Sequence, residues 1–524
     1  MVCLHRSLWF LAAHLPNLIG VVEGSDDNVE KVDLNSLQSF GYRPRVFILS
    51  DILNEPDDSM SLVRYLLYAN EFDTRGICAT TSWWLRNETH PEEMRRIITA
   101  YGEVVDNLNN HVNPNASYQS ADYLLSLVTS GPSTYGRAAL NETLSEGAGR
   151  IIEALEESDE PLFITGWGGT NTLAQALLHM DNNMPAPKAA ALRSKIRLYT
   201  ISDQDNTGPW IRTRYPDVFY VVSIHAFNNY KAATWTGIGL RGCPCVDSDI
   251  VWNPWLDANI RLGPFGALYP QVVYTMEGDT PSFLWLVQNG LVYRDRIDWG
   301  TWGGRYSHPL APSDWTAGID SNHFVNTIET VIGADGVTYS THQASIWRWR
   351  AAYQEDFAAR MQWTLTPNFT AAGHPPILNV NKHQGPEPLF IKINANESFT
   401  LDASLTYDPD HPTDNSKLEF QWALYPEPTS FLNDYLNVQI EAVSPSSGAP
   451  LVLHVNDAGF SNVTLGRSVK VIPPISIRNP NTGLSTTDFH ILLQVTNRAG
   501  PYPIRRYMRI VLTYHGHVPA TLFT

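Results

Sequence analysis

From about residue 44 to 290, short apolar runs alternate with stretches patterned like helices, and this alternation constrains the fold more than any other feature. Residues 45–49, 75–79, 161–165, 196–201, 218–223 and 271–276 read as six strands. Between them, 59–69 carries Met60, Val63, Leu66 and Leu67 on one stripe, and 91–108 opens on a proline. Residues 120–128, 146–155 and 172–180 read as further helices. A βαβ rhythm of this kind predicts an α/β fold, with a mostly parallel sheet and helices on both faces. Near residue 370 the pattern changes. After His374-Pro375-Pro376, the runs 390–393, 399–401, 418–422, 469–471, 490–495 and 509–512 alternate at short spacing, with turn residues between them. That pattern predicts an all-β, immunoglobulin-like sandwich with Trp422 in its core. An aromatic, Gly-rich loop (299–306) and a helix over 344–363 fill the interval. The expected organisation is a first domain over 44–370 and a sandwich over 375–524.

In open α/β sheets ligands bind beyond the carboxyl ends of the strands, and here every predicted strand ends in polar residues. The first is followed by Asp51, Glu55, Asp57 and Asp58 within eight residues. Four carboxylates on one short loop repel one another unless water screens them or a cation neutralises them. A hard cation with oxygen ligands, Ca2+ or Mg2+, answers that need. The simpler alternative is an acidic first turn of the next helix, favoured by its dipole. The other strand ends carry Thr80-Thr81-Ser82-Trp83-Trp84, Gly166-Trp167-Gly168-Gly169-Thr170-Asn171, Ser202-Asp203-Gln204-Asp205-Asn206, His225 with Asn228, Asn229 and Tyr230, and Glu277-Gly278-Asp279. Singly, Asp203 or Asn206 reads equally as a helix cap, and Gly168-Gly169 as a turn.

A chain of 524 residues exceeds one compact core. Its net charge of -17 argues against a nucleic-acid partner, which needs a basic face. No stretch is long and apolar enough for a membrane span. Residues 1–24 resemble a secretory signal peptide. Asn87, Asn115, Asn141, Asn368, Asn396 and Asn462 open glycosylation sequons, so a secreted glycoprotein is expected. Beyond Cys3, the chain has Cys78, Cys243 and Cys245. A bridge across the single residue between the last two would be strained, so buried or free thiols are expected. The density of Trp, Tyr and Phe suits a carbohydrate-facing protein.

Four segments carry a resemblance: Asn54-Glu55-Pro56-Asp57-Asp58, Ile201-Ser202-Asp203-Gln204-Asp205, Glu277-Gly278-Asp279-Thr280-Pro281-Ser282-Phe283 and Trp302-Gly303-Gly304-Arg305-Tyr306. Over residues 44–370 the chain resembles nucleoside hydrolases, and more closely the cellulose-binding, nucleoside-hydrolase-like family. The resemblance implies one Ca2+, held by Asp58 with one or both of Asp51 and Asp57, the Thr170 carbonyl and Asp279. It implies hydrolysis of a glycosyl bond in a saccharide or glycoside, with Asp51, or else Glu55, taking the proton of water. Asn54, Asn171, Asp205, Asn206 and Glu277 would contact the sugar. Trp83 and Trp84 are either stacking platforms for it or core residues. Two departures matter: Asp51 and Asp58 are spaced more widely than in nucleoside hydrolases, and Gly278 stands where many of them carry histidine. Without that acid for a purine leaving group, a saccharide is the expected partner ahead of a nucleoside. A non-catalytic carbohydrate-binding protein with a retained metal pocket is the rival expectation.

Overall fold

The strand β1 (Arg45–Ser50) is buried along its whole length, as a central strand covered on both faces must be. The computed structural model describes residues 33–308, 321–429, 438–443, 452–474 and 488–514; the expected signal peptide lies outside them. β1 is followed by α1 (Pro56–Tyr68) and β2 (Asp73–Ala79). Then come β3 (Val128–Ser130), β4 (Leu162–Gly166), β5 (Ile196–Thr200), β6 (Phe219–Val222), β7 (Tyr306–Ser307) and β8 (His323–Asn326). They form one eight-stranded sheet in the order β3-β2-β1-β4-β5-β6-β8-β7. All neighbours are parallel except β7 and β8. Alternate residues of β1 feed two cores: Val46 and Ile48 pack on one face, Phe47 and Leu49 on the other. No helix among the described residues is long and apolar enough to cross a membrane.

Two expectations about this sheet fail for local reasons. Residues 271–276 form no strand. The Asn253 side chain accepts from the Val272 N–H and donates to the Val272 carbonyl, so the backbone is satisfied without a neighbouring strand. β8 takes the place beside β6 instead. The predicted helix over 120–128 stops at Ser126, and its last residue, Val128, opens β3, an edge strand paired with β2. The expected helices over 91–108 and 344–363 are each broken once, into Pro91–Gly102 with Val105–Asn109 and Ala344–Trp347 with Arg350–Trp363. Cys243 and Cys245 form a disulfide, contrary to the expectation of free thiols. The chain turns tightly enough to set their Cα atoms 5.2 Å apart, inside the usual range for a bridge. Cys78 is a buried free thiol.

The C-terminal part is β-rich, as predicted. A six-stranded sheet contains Leu389–Ile393, Ile504–Tyr514, Asp488–Asn497, Leu418–Tyr425, Ser461–Leu465 and Val452–Val455 in that order. A three-stranded sheet contains Phe399–Asp402, Ser468–Ile472 and Gln439–Ala442. Leu401, Val469 and Val471 from the small sheet meet Trp422, Ile491, Leu493 and Ile510 from the large one in a shared core. Leu389–Ile393 runs parallel to its neighbour, so the large sheet is not purely antiparallel. Leu34–Thr524 is one compact unit. The Arg509 guanidinium, fully buried, donates to the carbonyls of Trp299 (3.0 Å) and Gly300 (2.9 Å), and Arg506 pairs with Asp356 at 2.7 Å. The loop through Trp299 and Trp302 is therefore the seam between the α/β part and the sandwich.

Candidate functional site

The order of the sheet reverses between β1 and β4, and crevices at such reversals are where open α/β sheets bind ligands. The acidic segment leaves β1 at this point. The Asn54 N–H donates back to the Asp51 carbonyl, and Leu53 adopts a left-handed φ of 74°. Glu55 is the extended N-cap residue of α1 and Pro56 its first residue, so Asp57 and Asp58 fall in the first helical turn. Carboxylates in a first turn are favoured by the helix dipole. These two, with Asp51, are instead buried.

Asp279 arrives from far along the chain and completes a set. Carboxylate oxygens of Asp57, Asp58 and Asp279 all lie within 4.8 Å of one another. Burial, and then repulsion from the neighbouring carboxylates, pushes Asp57 up to about 7 and holds Asp58 and Asp279 well above the usual carboxylate range. The Ser50 hydroxyl donates to Asp58 at 2.5 Å, and the Gly278 N–H donates to Asp57. Asp279 Oδ2 is buried with no hydrogen-bond partner. Oxygens on opposite sides of a Ca2+ ion, each about 2.4 Å from it, stand up to about 4.8 Å apart. The spacing, the all-oxygen donor set and the orphaned oxygen of Asp279 therefore fit a hard cation. No other His, Cys, Asp or Glu group among the described residues converges in this way.

Asp51 stands beside this set and outside it, although its charge raises all three members. Burial, and the nearby Glu55, push its own carboxyl up to about 7 against the opposing pull of the Ser82 hydroxyl that donates to it. Gly168, just past β4, passes so close that a Cβ there would lie 2.8 Å from Asp51 Oδ1. Glu55 is half-buried, and burial raises it.

Residues 45–306 match the family described as "Cellulose-binding Sde182, nucleoside hydrolase-like domain". The chain belongs to this family. Residues 398–514 match "Cellulose-binding protein Sde0182, C-terminal domain". No curated protein matches the chain. Among solved structures it is similar to a nucleoside hydrolase-related hypothetical protein from Saccharophagus degradans, described as associated with carbohydrate metabolism. The identity is 28% and the TM-score 0.70, over 90% of this chain and 100% of that one. The effector protein XOO4466, at 10% identity over 62% of this chain and 93% of its own, has a TM-score of 0.25, too low to carry any argument.

Within this Sde182-type domain the other expected site residues fall into three groups. Asn171, Asp205 and Glu277 are committed to the framework. Asn171 accepts from the Thr80 hydroxyl and donates to Thr81 and the Thr134 carbonyl. Asp205 accepts from the Thr207 and Asn171 N–H groups. Glu277 is fully buried, paired with Arg64 at 2.5 Å, and accepts from Tyr269 and Thr280. Thr170 is the N-cap residue of the helix Asn171–Asn183; its carbonyl accepts from the Ala174 N–H and its hydroxyl pairs with Thr207. Asn54 is half-buried in the acidic loop, and Asn206 is exposed and accepts from the Arg137 N–H.

Trp83 and Trp84 are 42% and 50% exposed, so neither is a core residue. Sequence reasoning assigned no role to Ser82, Ser202, Tyr230 or Trp235, yet all four build the wall. Tyr230 is hydrogen-bonded to Ser202 and Trp84, and the charges of Asp51 and Asp279 reach its phenol. Trp235 lies against Gly278, where a Cβ would stand 2.8 Å from both the indole and Asp57 Oδ2. The histidine of nucleoside hydrolases has no room at this position. Tyr230 was visible in the polar loop after β6; Trp235 had no local signal beyond being a tryptophan.

Proposed function

We propose that this crevice is a cation-dependent saccharide site and that the protein is a secreted hydrolase acting on glycosyl bonds. The convergence of Asp57, Asp58 and Asp279 around an orphaned carboxylate oxygen carries the reading. These three side chains would hold Ca2+; the Thr170 carbonyl, which already accepts the first hydrogen bond of its helix, would add an oxygen only through its second lone pair. When bound, the ion supplies positive charge and coordination positions for sugar hydroxyls and water. Asp51, outside the ligand set, is the carboxylate left to take a proton from water. The Ser82 hydroxyl and the close passage of Gly168 fix its orientation. Glu55, half-buried and raised by burial, would return a proton to the leaving oxygen. The buried Arg64–Glu277 pair anchors the loop that presents Asp279. The family's cellulose-binding description, and the carbohydrate association of the Saccharophagus protein, support a saccharide. All six sequon asparagines are exposed, in keeping with export.

A second reading is a binding protein without turnover. The internal commitment of Asn171, Asp205 and Glu277 favours it, because few side chains remain to orient a reacting sugar. Wild type and Asp51→Asn, assayed over a panel of oligosaccharides and nucleosides with Ca2+, separate the two. Turnover lost in the variant with binding kept supports the hydrolase. Saccharide binding without turnover by wild type supports the binding protein. Absence of any saccharide binding overturns both.

A further inference from the structure

Trp83 and Trp84 are adjacent in the chain, yet their rings go to different places. Trp84 meets Tyr230, from the loop after β6, with ring centroids 6.5 Å apart. Tyr230 in turn meets Trp235 at 5.7 Å, and the charges of Asp51 and Asp279 reach it. This aromatic group belongs to the acidic crevice. Trp83 meets Tyr135, from the loop after the edge strand β3, at 6.2 Å. The Arg86 guanidinium lies 3.8 Å from the Trp83 ring centroid and 4.8 Å from that of Tyr135, and its Nε–H donates to the Trp83 carbonyl. The Trp83 N–H donates to the Gln204 carbonyl. In the sheet, β2 and β3 lie on the opposite side of β1 from β6. The two rings thus join different groups, Trp84 with the loop after β6 and Trp83 with the loop after β3.

We propose that Trp83, clamped by Arg86 and flanked by Tyr135, is a second saccharide subsite, so that the protein holds a stretch of oligosaccharide and not a single sugar. The inference rests on the reading of the crevice as a saccharide site. The cation–π contact holds the indole, and the two hydrogen bonds hold its main chain, before ligand arrives, which lowers the ordering cost of stacking. A ring 42% exposed offers the flat apolar surface that the hydrogen-bearing face of a pyranose covers. The occupant is a neutral chain, because a net charge of -17 repels polyanions. Its length must exceed the one unit lodged among the carboxylates.

The test uses the full chain with saturating Ca2+, titrated calorimetrically with glucose and its β-linked oligomers from dimer to hexamer. Affinity is expected to rise by about tenfold at one step in length, the equivalent of about 1.4 kcal/mol of stacking. Trp83→Ala removes that step and leaves the affinity for the shorter ligands and the Ca2+-induced rise in Tm unchanged. Arg86→Gln, which unclamps the ring, loses part of the step. Equal affinity at all lengths in wild type, or a step that survives in Trp83→Ala, overturns the second subsite while leaving the crevice reading intact. No binding at any length overturns the crevice reading and the subsite with it.

Discussion

Replacing Asp279 by asparagine is expected to stabilise the cation-free protein at pH 8 while abolishing its response to Ca2+. At an effective dielectric of about 20, two unit charges at the 4.8 Å limit of the Asp57–Asp58–Asp279 cluster repel by about 3 kcal/mol. Asparagine keeps the shape of the side chain and removes one such charge. The unit Leu34–Thr524 unfolds with an entropy of about 1 kcal/mol/K at this size, so the gain corresponds to roughly 3 °C in Tm. The pH dependence follows from the direction of the shifts. All four buried carboxyls are raised above their unfolded values, two of them to about 7. For the two at about 7 the proton-linked stabilisation is complete below about pH 4 and is lost as pH rises through 7; Asp58 and Asp279, raised for the same reasons, change stability in the same direction. Wild type in EDTA should therefore lose stability relative to Asp279→Asn across that interval, and the two should melt together near pH 4. With Ca2+ at pH 8, wild type alone should gain. Scanning calorimetry in EDTA and in Ca2+ at several pH values reads all of this. A variant less stable than wild type in EDTA at pH 8, or one that Ca2+ stabilises as much as wild type, would refute the reasoning.

Asp51→Asn should lower turnover by at least about a hundredfold and change oligosaccharide affinity by less than about threefold, as measured by product release and by calorimetry. Ca2+ affinity should weaken as pH falls through 7, because protons compete for Asp57 and its neighbours; a pH series of Ca2+ titrations followed by intrinsic fluorescence checks it. Arg509→Leu leaves the carbonyls of Trp299 and Gly300 unmet, a cost of about 3 kcal/mol or roughly 3 °C, with the Ca2+ response intact because the seam is not part of the crevice.

β1, β2, β4, β5 and β6 were legible because each carries an apolar run, the mark of a strand buried on both faces; β8, with His323 and Asn326 at its ends, carries none. The run at 271–276 does carry that mark. What decides against a strand there is an asparagine side chain nearly twenty residues away, which no pattern within the run reveals. β3 was hidden because its three residues follow directly on a helix with an apolar stripe. The acidic loop showed itself through the local density of charge. The separation of Asp51 from the Asp57–Asp58–Asp279 cluster did not, since it depends on how Gly168 and Ser82 crowd that carboxylate from other strand ends. The framework roles of Asn171, Asp205 and Glu277 were equally invisible; Glu277 meets Arg64 across 213 positions of sequence. Polar residues at a strand end announce that something is bound there, but not whether the partner is a ligand or the protein itself.

The central claim is that Asp57, Asp58 and Asp279 hold a cation on which saccharide binding depends. Calorimetric titration of a β-linked glucose hexamer into the full chain, once with Ca2+ and once with EDTA, tests it most directly. The account predicts binding with Ca2+ and at least a tenfold loss of affinity without it. Equal affinity in the two titrations would contradict it.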